Sequence, residues 1–252
     1  MRRPTRGLTP AAALLLAGFA TPLAATAEMT APERAEFGAE VRAYLLENPE
    51  ILSEMFALLE AGQQAATAAA DRDRIAASTE ALFEDGFSFV GGNPDGDVTV
   101  VEFTDYQCGY CRRAHPEVAE LIAGDGNIRR IVKEFPILGP GSVLAARAAI
   151  ATLITAGPAK YAAVNDGLMT LDGPVTDAGL DATLKAAGLD PASVRAAMDD
   201  TEVTRRIEAN LALAGALEIS GTPTFVFADR MLRGYRPLVG MRELIAEIRA
   251  VN

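Results

Sequence analysis

Apolar residues recur at helical spacing from residue 30 to about residue 80. Phe37, Val41, Tyr44 and Leu45 form one stripe, and Ile51, Leu52, Met55, Phe56 and Leu59 form a second, because positions three and four apart stack on one helical face. Thr30 followed by Glu33 has capping-box spacing. Asn48-Pro49 reads as a stop and restart, with Asn48 suited to cap the second helix and Pro49 to open it. From Gln63 to Ala77 the chain turns Ala-rich and polar. Gly91-Gly92-Asn93-Pro94-Asp95-Gly96 is dense in turn formers and separates this region from a strand at Val98–Phe103. Beyond Cys108 the period becomes helical again through Val118, Leu121 and Ile122. A second strand follows at Ile128–Phe135. Residues 142 to about 217 read as wholly helical, with Asp190-Pro191 as one start. Strand signals return at Thr224–Phe227 and near Met231-Leu232, and Leu244, Ile245 and Ile248 mark a last amphipathic helix. The order β-α-β, helical block, β-β-α predicts an α/β fold with a helical insertion at about residues 139–217.

The first residues change the picture of where the chain works. Arg2, Arg3 and Arg6 precede an apolar run from Ala11 to Ala20, and Ala25-Thr26-Ala27 supplies small residues for cleavage. This is the pattern of a secretory signal peptide over residues 1–27. The run is short of the roughly 20 residues that span a bilayer. Residues 28–85 then form an N-terminal helical region and residues 86–252 the main domain. So short a helical region buries little alone. It packs on the main domain or on a second copy, which makes residues 30–80 a candidate oligomerisation arm. The 252-residue chain carries a net charge of −11, which argues against nucleic acid and anionic membranes as partners, since both call for clustered Lys and Arg.

The chain has two cysteines, Cys108 and Cys111. In an exported protein they meet an oxidising compartment. A bridge between residues so close closes a tiny loop and constrains little, so the pair points to chemistry. The thiolate is the reactive form. At a strand-to-helix junction Cys108 would meet unpaired N–H groups and the positive end of the helix dipole. It is expected to be exposed and to attack, while Cys111, one turn deeper, is shielded and resolves the mixed disulfide. Gly109 and Tyr110 lie between them and tune the thiolate. The competing reading is a soft-metal site for copper, with His115 as a third ligand on the same helical face. Zinc needs more ligands than one pair and one histidine provide. His115 otherwise reads as a surface helix residue. Gly221-Thr222-Pro223-Thr224 before a strand is a turn in which Thr222–Pro223 could be cis.

Three motifs taken together resemble the thioredoxin superfamily, and within it the exported DsbA-like thiol–disulfide oxidoreductases. They are Val101-Glu102-Phe103-Thr104-Asp105-Tyr106-Gln107-Cys108-Gly109-Tyr110-Cys111, Lys133-Glu134-Phe135-Pro136-Ile137-Leu138 and Gly221-Thr222-Pro223-Thr224-Phe225. Residues 33 to about 75, including Tyr44-Leu45-Leu46-Glu47-Asn48-Pro49-Glu50, resemble the N-terminal region of the ScsC/Com1 subgroup. The resemblance implies a thioredoxin-like fold with a helical insertion and a cis Pro223 whose loop faces Cys108. It implies that the Thr222 backbone pairs with an extended substrate, and that Glu102 and Lys133 lie beneath the pair to help move a proton. It further implies exchange without a cofactor, exported protein substrates with thiols or disulfides, and a membrane partner that recycles the protein. Gly109-Tyr110 replaces the Pro-His of the best-known oxidases. The arm resembles that of oligomeric members, in which isomerase or reductase activity is expected and facing catalytic domains suit the shuffling of wrong disulfides, so the resemblance leaves oxidation, isomerisation and reduction open as the direction of exchange.

Overall fold

The computed structural model describes residues 29–251. The expected signal peptide, residues 1–27, lies outside the described residues. Two compact units divide between Leu58 and Leu59, where the composition places the change near residue 85. The reason is burial: Ile75 and Leu82 belong to the core of the larger unit. Among the described residues, no helix is long and apolar enough to cross a membrane.

The smaller unit holds α1 (Ala31–Glu47) and the first turns of α2 (Glu50–Ala77). The capping-box expectation holds at Thr30, whose backbone N donates to Glu33 Oε2 at 2.8 Å. Asn48 acts differently from the reading above. Its Nδ2 donates to Tyr44 O at 2.8 Å, so the side chain closes α1 and does not cap α2. Carbonyls at the end of a helix lack partners, and the Asn48 amide reaches one of them. No residue of α1 is buried, and Phe37, Tyr44, Leu52, Met55 and Phe56 are exposed.

The larger unit is built on a five-stranded sheet of order β1-β3-β2-β4-β5. The strands are β1 (Phe89–Gly92), β2 (Val98–Thr104), β3 (Ile128–Glu134), β4 (Thr224–Phe227) and β5 (Arg230–Arg233). β2 and β3 are parallel, joined across α4 (Gly109–Asp125), and the other pairings are antiparallel. The helical block consists of α5 (Pro140–Ala156), α6 (Pro158–Met169), α7 (Asp177–Ala186), α8 (Pro191–Met198) and α9 (Thr201–Ala216). Asp190 caps α8 as expected, accepting from Ser193 N at 3.1 Å. α10 (Leu238–Val251) closes the chain.

β1 is the element the sequence pattern hides. Phe89 pairs with Val132 and Gly92 with Arg129, so Gly91 and Gly92, read as turn residues, are strand. Gly92 has φ +70°, and a Cβ there would stand 2.4 Å from Ile128 O. Glycine is therefore required where β1 presses against β3.

β2 reads as an almost unbroken apolar run because both of its faces are covered. Alternation sorts its side chains. Val98 and Val100, with Phe225 and Phe227, pack under α4 and α10. Val101 and Phe103, with Ile131 and Phe135, pack against Ile75, Leu82 and Leu213 from α2, α3 (Thr79–Phe83) and α9.

Candidate active site

β2 ends at Thr104, and the elbow Asp105–Gln107 delivers Cys108 to the start of α4. Asp105 shapes that elbow. Its Oδ1 accepts from Gln107 N at 2.8 Å, and its Oδ2 accepts from Ile137 N at 2.8 Å and Leu138 N at 3.1 Å. One buried carboxylate thus joins the segment before the cysteines to the segment after β3. Gln107 Oε1 accepts from Val175 N at 2.9 Å. Arg112 braces the other side, donating from Nε to Tyr106 O at 2.7 Å and from a terminal nitrogen to Gly173 O at 2.6 Å.

Cys108 is the N-cap of α4. Its Sγ accepts from Cys111 N at 3.3 Å and stands 3.2 Å from Thr222 O, to which the thiol donates. Thr222–Pro223 is a cis peptide bond. The structure therefore brings Cys108, Cys111, Thr222 and Pro223 together from segments about 110 residues apart. Both cysteines are free thiols. Cys111 is fully buried, as expected. Cys108 is only 7% exposed, which corrects the expectation of an exposed thiol: the Thr222–Pro223 loop lies over it. Gly109 and Tyr110 form the exposed first turn of α4, with the Tyr110 side chain 61% exposed.

The two thiols are pushed apart electrostatically. A hydrogen bond from Cys111 lowers Cys108 to a pKa of about 6 against the opposing effect of burial, helped by the Thr222 side chain and by the backbone N–H groups of Cys111 and Tyr110. Burial, then the hydrogen bond to Cys108, pushes Cys111 far above the ordinary thiol range. A hydrogen bond favours whichever charge state it contacts, so the charge gathers on the outer sulfur and the proton on the inner one.

Glu102 lies on the sheet face that carries α4, and Arg130 Nε donates to its Oε2 at 3.0 Å. Both side chains are buried. Lys133 is placed otherwise. It follows Val132 by one residue and so points to the opposite face, where Nζ reaches Asp85 Oδ2 at 2.6 Å and Ala81 O at 2.7 Å. Lys133 does not lie beneath the pair; it fastens the end of α3 to the sheet. The buried cation beside Glu102 is Arg130, which the sequence reading missed because only strand register places it there.

Glu134 is a second missed residue. It accepts from Tyr106 Oη at 2.8 Å and Tyr161 Oη at 2.6 Å. Burial raises its carboxyl to about 8, against the lowering effect of both phenols. His115 is buried, not a surface residue, and its Nε2 lies 3.0 Å from Asp166 Oδ1 on α6. Among the described residues, no group of three or more His, Cys, Asp and Glu side chains is arranged to hold a metal ion, so His115 does not complete a site with the cysteines.

Known proteins match this arrangement. A family model described as thioredoxin matches residues 84–247, and one described as the copper resistance protein ScsC N-terminal domain matches residues 33–66. A thioredoxin-like oxidoreductase from Silicibacter pomeroyi is 40% identical, with a TM-score of 0.65, covering 68% of this chain and 97% of its own. A linker-deleted mutant of Proteus mirabilis ScsC is 26% identical with a TM-score of 0.67, covering 90% of this chain and 100% of its own. The thiol–disulfide exchange protein α-DsbA2 from Wolbachia pipientis is 25% identical with a TM-score of 0.68, covering 73% and 98%. Among curated proteins, the Na(+)/H(+) antiporter NhaA 1 of Salinispora arenicola is 31% identical over 147 residues, which is 58% of this chain and 22% of that protein. The chain thus spans about a fifth of that curated relative.

Proposed function

The chain belongs to the thioredoxin family, and from that premise we propose that it is a thiol–disulfide oxidoreductase that works after export to the periplasm, passing disulfides to exported proteins through Cys108 and Cys111. The observation that carries the direction is the setting of the Cys108 sulfur, capped by backbone N–H groups and held near a pKa of 6. Stabilising the thiolate stabilises the reduced protein, and a stable reduced form makes the disulfide a stronger oxidant.

The exchange balances as follows. A substrate thiolate attacks the Cys108 sulfur of the Cys108–Cys111 disulfide, forming the mixed disulfide and releasing Cys111 as a thiolate that takes up a proton. A second substrate thiolate attacks the substrate sulfur of that bond. The substrate disulfide forms and Cys108 leaves as the stabilised thiolate, so substrate is oxidised and the protein reduced by two electrons. In isomerisation Cys108 attacks a wrong substrate disulfide and leaves after rearrangement, with no net electron transfer. Thr222 offers its backbone to an extended substrate, Glu102 and Arg130 supply charge beneath α4, and Gly109 and Tyr110 set the polarity of the first turn. A membrane redox partner would reoxidise the pair.

The test is a redox titration of the full chain in graded glutathione buffers, read as the two-thiol mass shift after alkylation. A reversible two-electron transition above the glutathione potential is expected. A transition well below it would reverse the proposed direction, and the absence of any transition would remove the exchange function.

Residues 30–80 support a second part of the proposal, a homo-oligomer. The exposed Phe37, Tyr44 and Phe56 lie in the segment that matches the ScsC N-terminal domain, and a second copy would cover them. Light scattering should show a multimer that the paired substitutions Tyr44→Glu and Phe56→Glu convert to monomer. A monomeric parent chain would remove this part.

A further inference from the structure

Glu134 sits where several elements meet. It ends β3, and its Oε1 accepts from Tyr106 Oη of the elbow at 2.8 Å and from Tyr161 Oη of α6 at 2.6 Å. Its main-chain carbonyl accepts from Asn210 Nδ2 of α9 at 3.1 Å. Glu134 and Asn210 are each 3% exposed. Each keeps one buried oxygen with no hydrogen-bond partner among the described residues, Oε2 of the acid and Oδ1 of the amide. Buried polar atoms in that state are costly, and these two belong to residues already tied to one another.

Both side chains line one cavity of about 10 Å³ between β1, α5 and α9. Phe89, Val132, Ile150 and Leu153 give it apolar walls. Ser88 and Arg206 also line it, and both are engaged elsewhere. Ser88 Oγ donates to Asp85 Oδ2 at 2.6 Å, while Arg206 donates from Nε to Glu202 Oε1 at 2.8 Å and from Nη1 to Phe87 O at 3.0 Å. The two unpartnered oxygens do not serve each other. With Glu134 ionised both are acceptors, and with Glu134 protonated Oε2 is a donor that does not reach Asn210. A water molecule meets either case. It donates to both oxygens, or it accepts from the acid and donates to the amide. A cavity of this size admits one water and nothing larger.

We infer that the cavity is a binding site for a single ordered water, which bridges Glu134 Oε2 and Asn210 Oδ1 and fastens α9, the last helix of the block, to the end of β3. The site goes beyond the exchange reaction and stands whichever way disulfides are passed. Burial raises the Glu134 carboxyl to about 8, so at neutral pH the acid donates to the water and the water donates to Asn210. Through Oε1 the same carboxyl holds Tyr106, two residues before Cys108. The bridge therefore joins the helical block to the foundation of the catalytic elbow without touching either sulfur.

The direct test is a crystal structure of the full chain at a resolution that orders internal water. One water should lie within hydrogen-bond distance of both oxygens. A cavity without density, or a direct bond between the two side chains, overturns the inference. Oxygen-17 relaxation then counts long-lived internal waters in solution. Asn210→Leu removes one anchor and should lower the count by one. Val132→Ile leaves both polar groups in place, adds a methyl group to the cavity wall and should lower the count equally, which keeps the test decisive if Asn210→Leu does not fold. Glu134→Gln retains a donor for the water and an acceptor for the phenols, and should keep the parent count. An unchanged count in the first two variants overturns the site.

Infrared spectroscopy reads the bridge itself. The protonated carboxyl stretch that disappears in Glu134→Gln should move to higher frequency in Asn210→Leu and Val132→Ile, because an acid that loses its acceptor has a stiffer carbonyl. A merely structural loosening would leave that stretch in place, and a stretch unmoved by both substitutions overturns the bridge.

Discussion

The two faces of the central sheet each bury a cation against a carboxylate, and they use it differently. On the far face, Lys133 is spent on Asp85 and the Ala81 carbonyl, and burial lowers its pKa against the pull of Asp85. That pair anchors α3. On the face under α4, Arg130 holds one oxygen of Glu102, while Glu102 Oε1 and Glu134 Oε2 have no hydrogen-bond partner among the described residues. Buried oxygens left without donors are costly, and they gather on the side that carries the cysteines. One face is closed electrostatically for cohesion. The other leaves carboxyl oxygens of Glu102 and Glu134 unpaired on the side of the sheet that carries α4.

The largest effect that sharpens this contrast is at the cysteines themselves. Cys108→Ser should abolish exchange, and Cys111→Ser should accumulate mixed disulfides visible by non-reducing mass analysis. Substantial exchange by Cys108→Ser would remove the near face from the chemistry. Next is Lys133→Met, which strands a buried carboxylate and should cost about 3–5 kcal/mol in denaturant unfolding, while the Cys108 titration stays near 6. A moved titration would break the separation of the faces.

Glu134 gives a smaller effect with a definite sign. Its folded pKa of about 8 lies above the unfolded carboxylate value of about 4.3. The folded protein then holds a proton that the unfolded chain releases. This contribution to stability is whole below the unfolded value and is lost as pH rises through about 8. Glu134→Gln should flatten the decline in unfolding midpoint between pH 5 and 8, and an unchanged slope would assign the decline elsewhere. Smallest is the pH profile of Cys108 itself. Alkylation should rise about ten-fold from pH 5 to pH 7 and then level off, as a thiolate with a pKa of about 6 requires. A rise continuing to pH 9 would mean that the sulfur is not stabilised.

Local residues made much of this legible in sequence. The strand before Cys108, the helix after it and the Thr222–Pro223 turn are each encoded within a few neighbouring positions, and the structure joins them. What depends on register stayed hidden. Arg130 becomes the partner of Glu102 only once β3 is slid against β2, with Val100 beside Arg130. A shift of one residue would have put Lys133 there instead. β1 was masked by Gly91 and Gly92, which carry no side-chain pattern. The ties of Glu134 to Tyr106 and Asn210 join residues 28 and 76 positions apart, beyond the reach of any periodicity.

Asp105 has a consequence for how this protein tolerates change. It reads main-chain N–H groups at Gln107, Ile137 and Leu138, and every amino acid except proline offers one. The exposed side chains of Ile137 and Leu138 are therefore free to vary across homologues or in a redesign without loosening the elbow that holds Cys108. The same carboxylate that makes the catalytic turn rigid leaves its rim open to new specificities.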